Sequence, residues 1–343
     1  MNELSSAEQL GLSCFEGKDY QAAFVHLQQA NQQGVLSDYY SLVLLIKASL
    51  LLGKWDYGWQ LLGESCRSER FVPAKYDYPK WQGESLQGKH IVAWGHGGLG
   101  DEIFYARYLS CLAERGAQVT LDCPQSLREL LRTAPGVDQV LDDELPAGQA
   151  DYQVTTTELA MHFANGDSNP WPDSGPYVKA QPIDIAGSEL KVGLVWAAHS
   201  QHPGASDRST SLQDMAVLAT VPGIKFFSVQ VGAEAAELGA LPDSMQVEPL
   251  AWQAPSFAET ARLVTALDVL ITVDTAAANL GGALGVNTWV AVPDSPCWRW
   301  GLSGVSTPWY PSVRIYRRLG SAPNSWPKVF AEMAADLRKL TCA

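Results

Sequence analysis

Twice in this sequence an apolar run of strand length stops at a turn of small residues and restarts as a helix-forming stretch. His90–Trp94 runs into Gly95-His96-Gly97-Gly98-Leu99-Gly100, and Val269–Val273 runs into Asp274-Thr275-Ala276. A strand that hands over to a helix this quickly belongs to a β-α-β unit, and such units build parallel sheets with helices on their faces. The first unit reads as strand His90–Trp94, helix Asp101–Arg115, strand Gln118–Asp122, helix Gln125–Thr133 and a short strand at Gln139–Leu141. The second begins at Lys191 with strand Val192–Trp196, a long polar loop, a helix capped near Ser209 or Thr210, and strand Lys225–Val229. It continues with helix Phe257–Leu267, opened by the capping box Ser256 to Glu259, then strand Val269–Val273, helix Ala276–Leu284 and strand Thr288–Val292. A connector holding Pro170, Pro172, Pro176 and Pro182 separates the two. The expectation is an α/β chain with two Rossmann-like, doubly wound lobes, residues 85–185 and 190–325, facing a cleft. Open sheets of this kind bind ligands beyond the carboxyl ends of their strands, here the loops after Trp94, Trp196, Val229, Val273 and Val292.

Residues 1–70 read differently. Leu10, Gly11, Ala23, Leu27 and Ala30 recur at helical spacing, and Gly17-Lys18-Asp19-Tyr20 breaks the pattern into an antiparallel pair. After the apolar helix Tyr39–Leu52, Gly53-Lys54-Trp55-Asp56-Tyr57 repeats the break about one tetratricopeptide period (~34 residues) later. A small all-α, tetratricopeptide-like segment is expected, leaning on the next lobe because two repeats are fewer than the roughly three a free solenoid needs. A C-terminal helix is expected over 326–343.

With 24 Lys and Arg against 37 Asp and Glu, the 343-residue chain carries a formal charge of −13. That balance disfavours nucleic acid and anionic membrane surfaces, so an anionic ligand must meet local arginines or backbone N–H groups. No apolar run reaches the ~18 residues of a membrane span. The polar, acidic start lacks the features of a secretory signal, and the six cysteines form no C-x-x-C pair, which together suggest a reduced, cytoplasmic setting.

Gly95 to Gly100 fits the dinucleotide pattern G-x-G-x-x-G, with Asp122 about 20 residues on. Against that reading, Asp101 and Glu102 place two carboxylates at the helix start where a pyrophosphate would sit. Asp101 reads first as a carboxylate projected into the cleft to accept the proton of an attacking hydroxyl, with a helix cap as the plainer alternative. Gly97, Gly98 and Gly100 shape the turn, and His96 is the second candidate base.

In the second lobe, Asp274, Thr275, Ala276 and Asn279 open a helix of little bulk, whose N–H groups and dipole suit a diphosphate; tight packing is the plainer alternative. Arg208 offers a guanidinium fork for phosphate, followed by the hydroxyls of Ser209 and Thr210. His199 and His202 lack a familiar ligand spacing, and no D-x-D occurs, so no metal site is expected. The Pro-rich stretches holding Trp298, Trp300, Trp309 and Tyr310 suit stacking on a ring or, for Trp300 and Trp309, simple packing.

Together these strings resemble a known family. Trp94-Gly95-x-x-Gly98-Leu99-Gly100-Asp101-Glu102, Val192-Gly193-Leu194-Val195-Trp196-Ala197, Asp207-Arg208-Ser209 and Phe227-Ser228-Val229-Gln230 are followed by Val273-Asp274-Thr275-Ala276 with Gly282-Ala283-Leu284-Gly285. Trp298-Arg299-Trp300 and Pro308-Trp309-Tyr310-Pro311 complete a series that is similar, in kind and order, to the heptosyltransferase-like GT-B glycosyltransferases, in particular a branch with N-terminal tetratricopeptide repeats. The resemblance implies inverting, metal-independent transfer of a sugar from a nucleotide-sugar donor, with no cofactor, to a hydroxyl of a glycan, lipid-linked or protein acceptor. It places Asp101 as general base, Arg208, Ser209, Asp274, Thr275, Ala276 and Asn279 at the donor, with Gln230 in support, and the repeats as a surface for a protein partner. Two positions depart from the family pattern. Asn279 stands where a His is common and Val231 where a basic residue often follows the Gln, which removes positive charge from around the leaving diphosphate. A binding protein of the same fold with weakened or lost activity, and a nicotinamide-dependent Rossmann enzyme, are the competing expectations.

Overall fold

The computed structural model describes residues 5–36, 38–143, 145, 148–164, 175–199, 204–241, 245–250, 254, 256–320 and 325–342. Four helices come first: α1 (Ser6–Glu16), α2 (Tyr20–Gln32), α3 (Tyr39–Leu51) and α4 (Trp55–Arg67). Side-chain caps fix the first three starts. Ser5 accepts from the Glu8 N–H at 3.2 Å, Asp19 from Ala22 at 3.0 Å and Asp38 from Ser41 at 2.9 Å, each contributing about 1 kcal/mol. Lys18 turns the chain between α1 and α2 with φ of +65°, in the left-handed region. Glycines set the helix spacing: a Cβ at Gly11 would lie 2.6 Å from Leu27 Cγ, and one at Gly58 2.6 Å from a Leu50 methyl.

The first lobe holds β1 (His90–Trp94), α5 (Leu99–Tyr105), α6 (Leu109–Glu114), β2 (Gln118–Asp122), α7 (Arg128–Leu131), β3 (Gln139–Val140), β4 (Tyr152–Thr155) and α8 (Leu159–Phe163). Its strands form a parallel sheet in the order β3-β2-β1-β4. The second lobe holds β5 (Leu190–Val195), α9 (Ala205–Arg208), β6 (Ile224–Ser228), β7 (Val247–Pro249), α10 (Phe257–Thr265), β8 (Val269–Val273), α11 (Ala276–Leu284), β9 (Thr288–Val292) and β10 (Val313–Arg317), and α12 (Ser325–Thr341) closes the chain. Its sheet runs β10-β9-β8-β5-β6-β7, all parallel. Both orders reverse direction beside the first strand of their lobe, between β1 and β4 in one and between β5 and β8 in the other. Such switch points open a crevice at the carboxyl ends of the strands.

The expected strands at 90–94, 118–122, 269–273 and 288–292 are present as read, and the two expected sheets form. Three local expectations need correction. The helix expected over 101–115 starts earlier, at Leu99, and is interrupted by a 3₁₀ turn at Ala106–Tyr108. The one expected at 125–133 contracts to a 3₁₀ turn and the single α-turn of α7. The helix expected to start near Ser209 is instead a short one, α9, that ends there; a 3₁₀ stretch follows at Asp214–Thr220, where Asp214 Oδ2 accepts from the Thr210 hydroxyl and the Ser211 N–H.

The helical segment packs against both lobes. Trp55 and Trp59 of α4 meet Trp298 and Trp309 of the second lobe edge-on, with Trp59–Trp298 centroids 5.1 Å apart and Trp55–Trp309 5.3 Å. Phe104 of α5 meets the same two rings at 5.2 and 5.1 Å. Lys18 Nζ reaches Asp294 at 2.7 Å, and the Tyr20 and Ser295 hydroxyls lie 2.9 Å apart. The Trp298 to Tyr310 stretch is thus a seam joining three parts of the chain, and Trp300 and Trp309 are packed within it at 1% and 0% exposure.

Candidate functional site

At the first lobe's switch point the glycine turn closes on the protein's own carboxylates. Asp101 and Glu102 lie in the first turn of α5, where exposed N–H groups favour negative charge. Glu102 is buried; its Oε1 accepts the Gly97 N–H at 3.1 Å and its Oε2 the Thr156 hydroxyl at 3.2 Å. Asp101 Oδ2 accepts the Gly98 N–H at 3.0 Å. The amides that would cradle a dinucleotide pyrophosphate are therefore occupied from within. Asp122, the acid that the pattern assigns to a ribose, instead accepts from the Tyr76 hydroxyl and Lys75 Nζ, both at 2.5 Å. The nicotinamide expectation fails on these contacts.

Burial is the largest influence on the Glu102 carboxyl and pushes it up to about 7; Asp101 and Asp122 push the same way, while the Gly97 and Thr156 bonds pull it back. Asp101 behaves oppositely. Burial would raise its carboxyl, but Arg299, the Gly98 N–H and Arg208 together hold it below its ordinary value. His96 lies at the outer side of the turn, its ring edge-on to Trp94 and its Nε2 3.9 Å from Cys66 Sγ. Desolvation lowers its pKa against the pull of Asp101 and Glu158, which keeps the imidazole neutral near pH 7. Burial pushes the Cys66 thiol up to about 12, so this Cys and His are not a thiolate pair.

In the second lobe, Thr275 rather than Asp274 caps α11, accepting the Ala277 N–H at 3.2 Å. Thr275, Ala276 and Ala277 keep partial exposure. Asp274 is buried beneath this helix end. Its Oδ1 accepts from Trp300 Nε1 at 2.7 Å, while Oδ2 has no hydrogen-bond partner and lies 3.9 Å from Arg208 Nε. Ser209 Oγ holds the Ala198 N–H at 3.0 Å.

Two expected donor contacts are engaged elsewhere. Gln230 accepts from the Trp196 and Ala197 N–H groups and donates to the Ala197 and Val231 carbonyls, so it acts on the site only through the loop it fixes. Asn279 is buried; its amide donates to the Thr275 carbonyl and accepts from the Tyr310 hydroxyl, bracing the helix end from inside. His202 lies outside the described residues. Among the described residues, no three His, Cys, Asp or Glu side chains are grouped as a metal ion would require.

The lobes meet at these two helix starts. A Cβ at Gly100 would lie 3.0 Å from Asn279 Nδ2 and 3.4 Å from Ala276 Cα, so only a glycine permits this approach without a shift. Next to it, Asp101 Oδ1 accepts from Arg299 Nη2 at 2.6 Å. Asp101 keeps 40% of its side chain exposed, whereas Arg299 is buried, its guanidinium 4.4 Å from the ring centroids of both Phe104 and Trp298. Sequence reading overlooked Arg299 as a partner of Asp101 and Glu102 as a buried group. Arg299 had a signal in the cation flanked by Trp298 and Trp300. Glu102 had one in Gly95, where a Cβ would lie 1.9 Å from the Glu102 carboxylate.

No protein-family model matches this chain. Among curated proteins it is similar to Protein FlbA of Caulobacter vibrioides, at 24% identity over 84% of this chain and 53% of that protein. The chain thus spans about half the length of the curated relative it matches. Among solved structures it is similar to the ADP-heptose lipopolysaccharide heptosyltransferase II of E. coli, with a TM-score of 0.52 and 14% identity over 74% of this chain and 100% of that one. It is also similar to a family 9 glycosyl transferase of Veillonella parvula, with a TM-score of 0.55 and 13% identity over 76% and 99%. The fold is the GT-B fold of these glycosyltransferases, preceded by a helical segment.

Proposed function

We propose that the chain transfers a glycosyl group from a nucleotide-sugar donor to an acceptor hydroxyl in the cleft between the lobes. The observation that carries this reading is the meeting of two different chemistries at one place. Gly100, beside the Asp101 carboxylate, abuts Ala276, the first residue of α11, whose first turn keeps partial exposure. The first switch point is filled by Glu102, so a nucleotide has the second one available, where an anion meets the N–H groups of α11 and the Arg208 guanidinium. Asp274, buried beneath the helix end with Oδ2 3.9 Å from Arg208 Nε, supplies the negative charge that holds this guanidinium beside the α11 start. Asp101, ionised at every working pH, takes the acceptor proton, and single displacement inverts the anomeric centre. In this reading Arg208 and the helix end, not a metal ion, meet the leaving diphosphate.

The test is a transfer assay over a panel of nucleotide sugars and acceptors, with the product anomer read by NMR. Asp101→Asn should lower turnover by about 10²–10⁴-fold and leave donor affinity within about twofold. Retention of configuration, or an Asn variant with undiminished turnover, would remove the base assignment. A second reading has its own observation: Arg299 neutralises Asp101 and lowers its proton affinity, which weakens it as a base, and Asn279 leaves the helix end without an added cation. A GT-B binding protein with lost activity would bind nucleoside diphosphates and transfer from no donor in the panel.

A further inference from the structure

We propose that Glu102 is a positioning residue for this transfer, holding Gly97 and Thr156 together across the first lobe's switch point so that Asp101 is presented to the second lobe. The inference rests on the glycosyl-transfer reading and deepens it. The glycine turn follows β1 and Thr156 follows β4, the two strands between which the sheet order reverses. Glu102 bridges them with one oxygen each, at 3.1 and 3.2 Å, and Thr156 is tied further by its own N–H to the Trp94 carbonyl at 3.0 Å. Gly95 has room for no side chain above this carboxylate. The bridge leaves Asp101, one residue earlier and about 100° around the helix, facing Arg299.

Only the ionised carboxylate accepts from both donors at once. Protonation turns one oxygen into a donor, forces the Thr156 hydroxyl to reverse, and weakens the hold on Gly97, because bonds to a charged acceptor are the stronger ones. It also removes a negative neighbour from Asp101 and so lowers the proton affinity of the base. The charged and titratable groups around Glu102 are Asp101 on its own helix, Asp122 and the neutral Cys123 thiol after β2, and His96 in the turn, with Arg299 beyond Asp101. Asp101 is held below the ordinary carboxylate range and His96 below the ordinary imidazole value, whereas Glu102 is pushed up, to about 7.

His96-Gly97 is the single His-Gly pair in the sequence, so labelling His with carbonyl ¹³C and Gly with ¹⁵N isolates the Gly97 amide in the NMR spectrum of the full chain. Its resonance should titrate with a midpoint near pH 7 and should stop doing so in Glu102→Gln. A Gly97 resonance that does not move between pH 5 and 9, or that titrates unchanged in the Gln variant, overturns the proposal whether or not the protein transfers sugar. With an active donor and acceptor pair, kcat/KM should rise through about pH 7, and Glu102→Gln should abolish that limb and lower kcat at least tenfold with donor KM within about twofold. An unchanged limb in the variant also overturns it. Absence of any transfer by the wild-type chain would instead count against the function proposed above, and the amide titration would still decide the role of Glu102.

Discussion

Asp101 Oδ1 and Arg299 Nη2 lie 2.6 Å apart although 198 residues separate them in the chain, and this ion pair ties the glycine turn of one lobe to the aromatic seam of the other. Because Asp101 is 40% exposed, solvent screens the attraction, and the coupling should be about 1 kcal/mol. A thermodynamic cycle built from Asp101→Asn, Arg299→Met and the double variant measures it. Effects that add to within about 0.3 kcal/mol would show that the pair does not couple the lobes. Arg299→Met alone should also let the Asp101 carboxyl titrate at higher pH than in the wild type.

Gly95→Ala should prevent normal folding or lower the melting temperature severely, because the added carbon falls 1.9 Å from the Glu102 carboxylate. Combining it with Glu102→Ala should recover much of the loss. Thermal melts of the single and double variants decide the matter: if the second substitution restores nothing, the clash lies elsewhere.

Stability should depend on the charge of Glu102. Its folded-state pKa is raised, from 4.5 to about 7, so its contribution is fully present below about pH 4.5 and is lost as pH rises through 7. At 1.36 kcal/mol per pH unit that loss amounts to about 3 kcal/mol. Glu102→Gln removes the charge at every pH, so the variant should gain on the wild type in denaturant midpoint between pH 5 and pH 8. An equal midpoint difference at both pH values would show that Glu102 does not change charge over this range.

Trp59→Ala should cost about 3–5 kcal/mol, since the ring is buried against Trp298 and Trp309. Lys18→Ala, which removes a half-exposed ion pair with Asp294, should cost less than about 1 kcal/mol. Urea unfolding of the two variants compares a packed contact with a screened charge at the same interface, and a larger loss for Lys18 would invert that account.

Arg208→Ala should weaken nucleoside diphosphate binding tenfold or more, read by isothermal calorimetry at a temperature where the variant is folded. Its side chain is 32% exposed and lies 3.9 Å from the buried Asp274 carboxylate, so its removal takes a charge-assisted contact from the anion and also lowers the melting temperature by leaving that carboxylate without its cation. Unchanged affinity would move the diphosphate away from this helix end.

The central strands were legible because their neighbours along the chain define them: an apolar run, a small-residue turn and a helix start appear together at His90–Trp94 and Val269–Val273. The strand β4 was not, since Gln153 in its middle looks like a loop residue. Its amide is satisfied by the backbone of Tyr76 and Tyr78 and by Trp94 Nε1, partners far away in sequence. The same limit applied at the site. Asp101, Asp274 and Thr275 could be singled out from their turns, but the partners that set their chemistry, Arg299 for Asp101 and Trp300 for Asp274, come from a Pro-rich segment with no periodicity to place it. Gln230 shows the converse, because a residue that the family resemblance set beside the donor spends its hydrogen bonds on the backbone of its own lobe.

The seam around Trp298 and Trp309 means that the amino-terminal helices cannot be trimmed away as a detachable handle. Cutting before β1 would bare the indoles that α4 covers and strip Asp294 of its lysine. A shortened chain would carry an adhesive flank on its second lobe, and its failure to act on a sugar nucleotide would say nothing about the intact molecule.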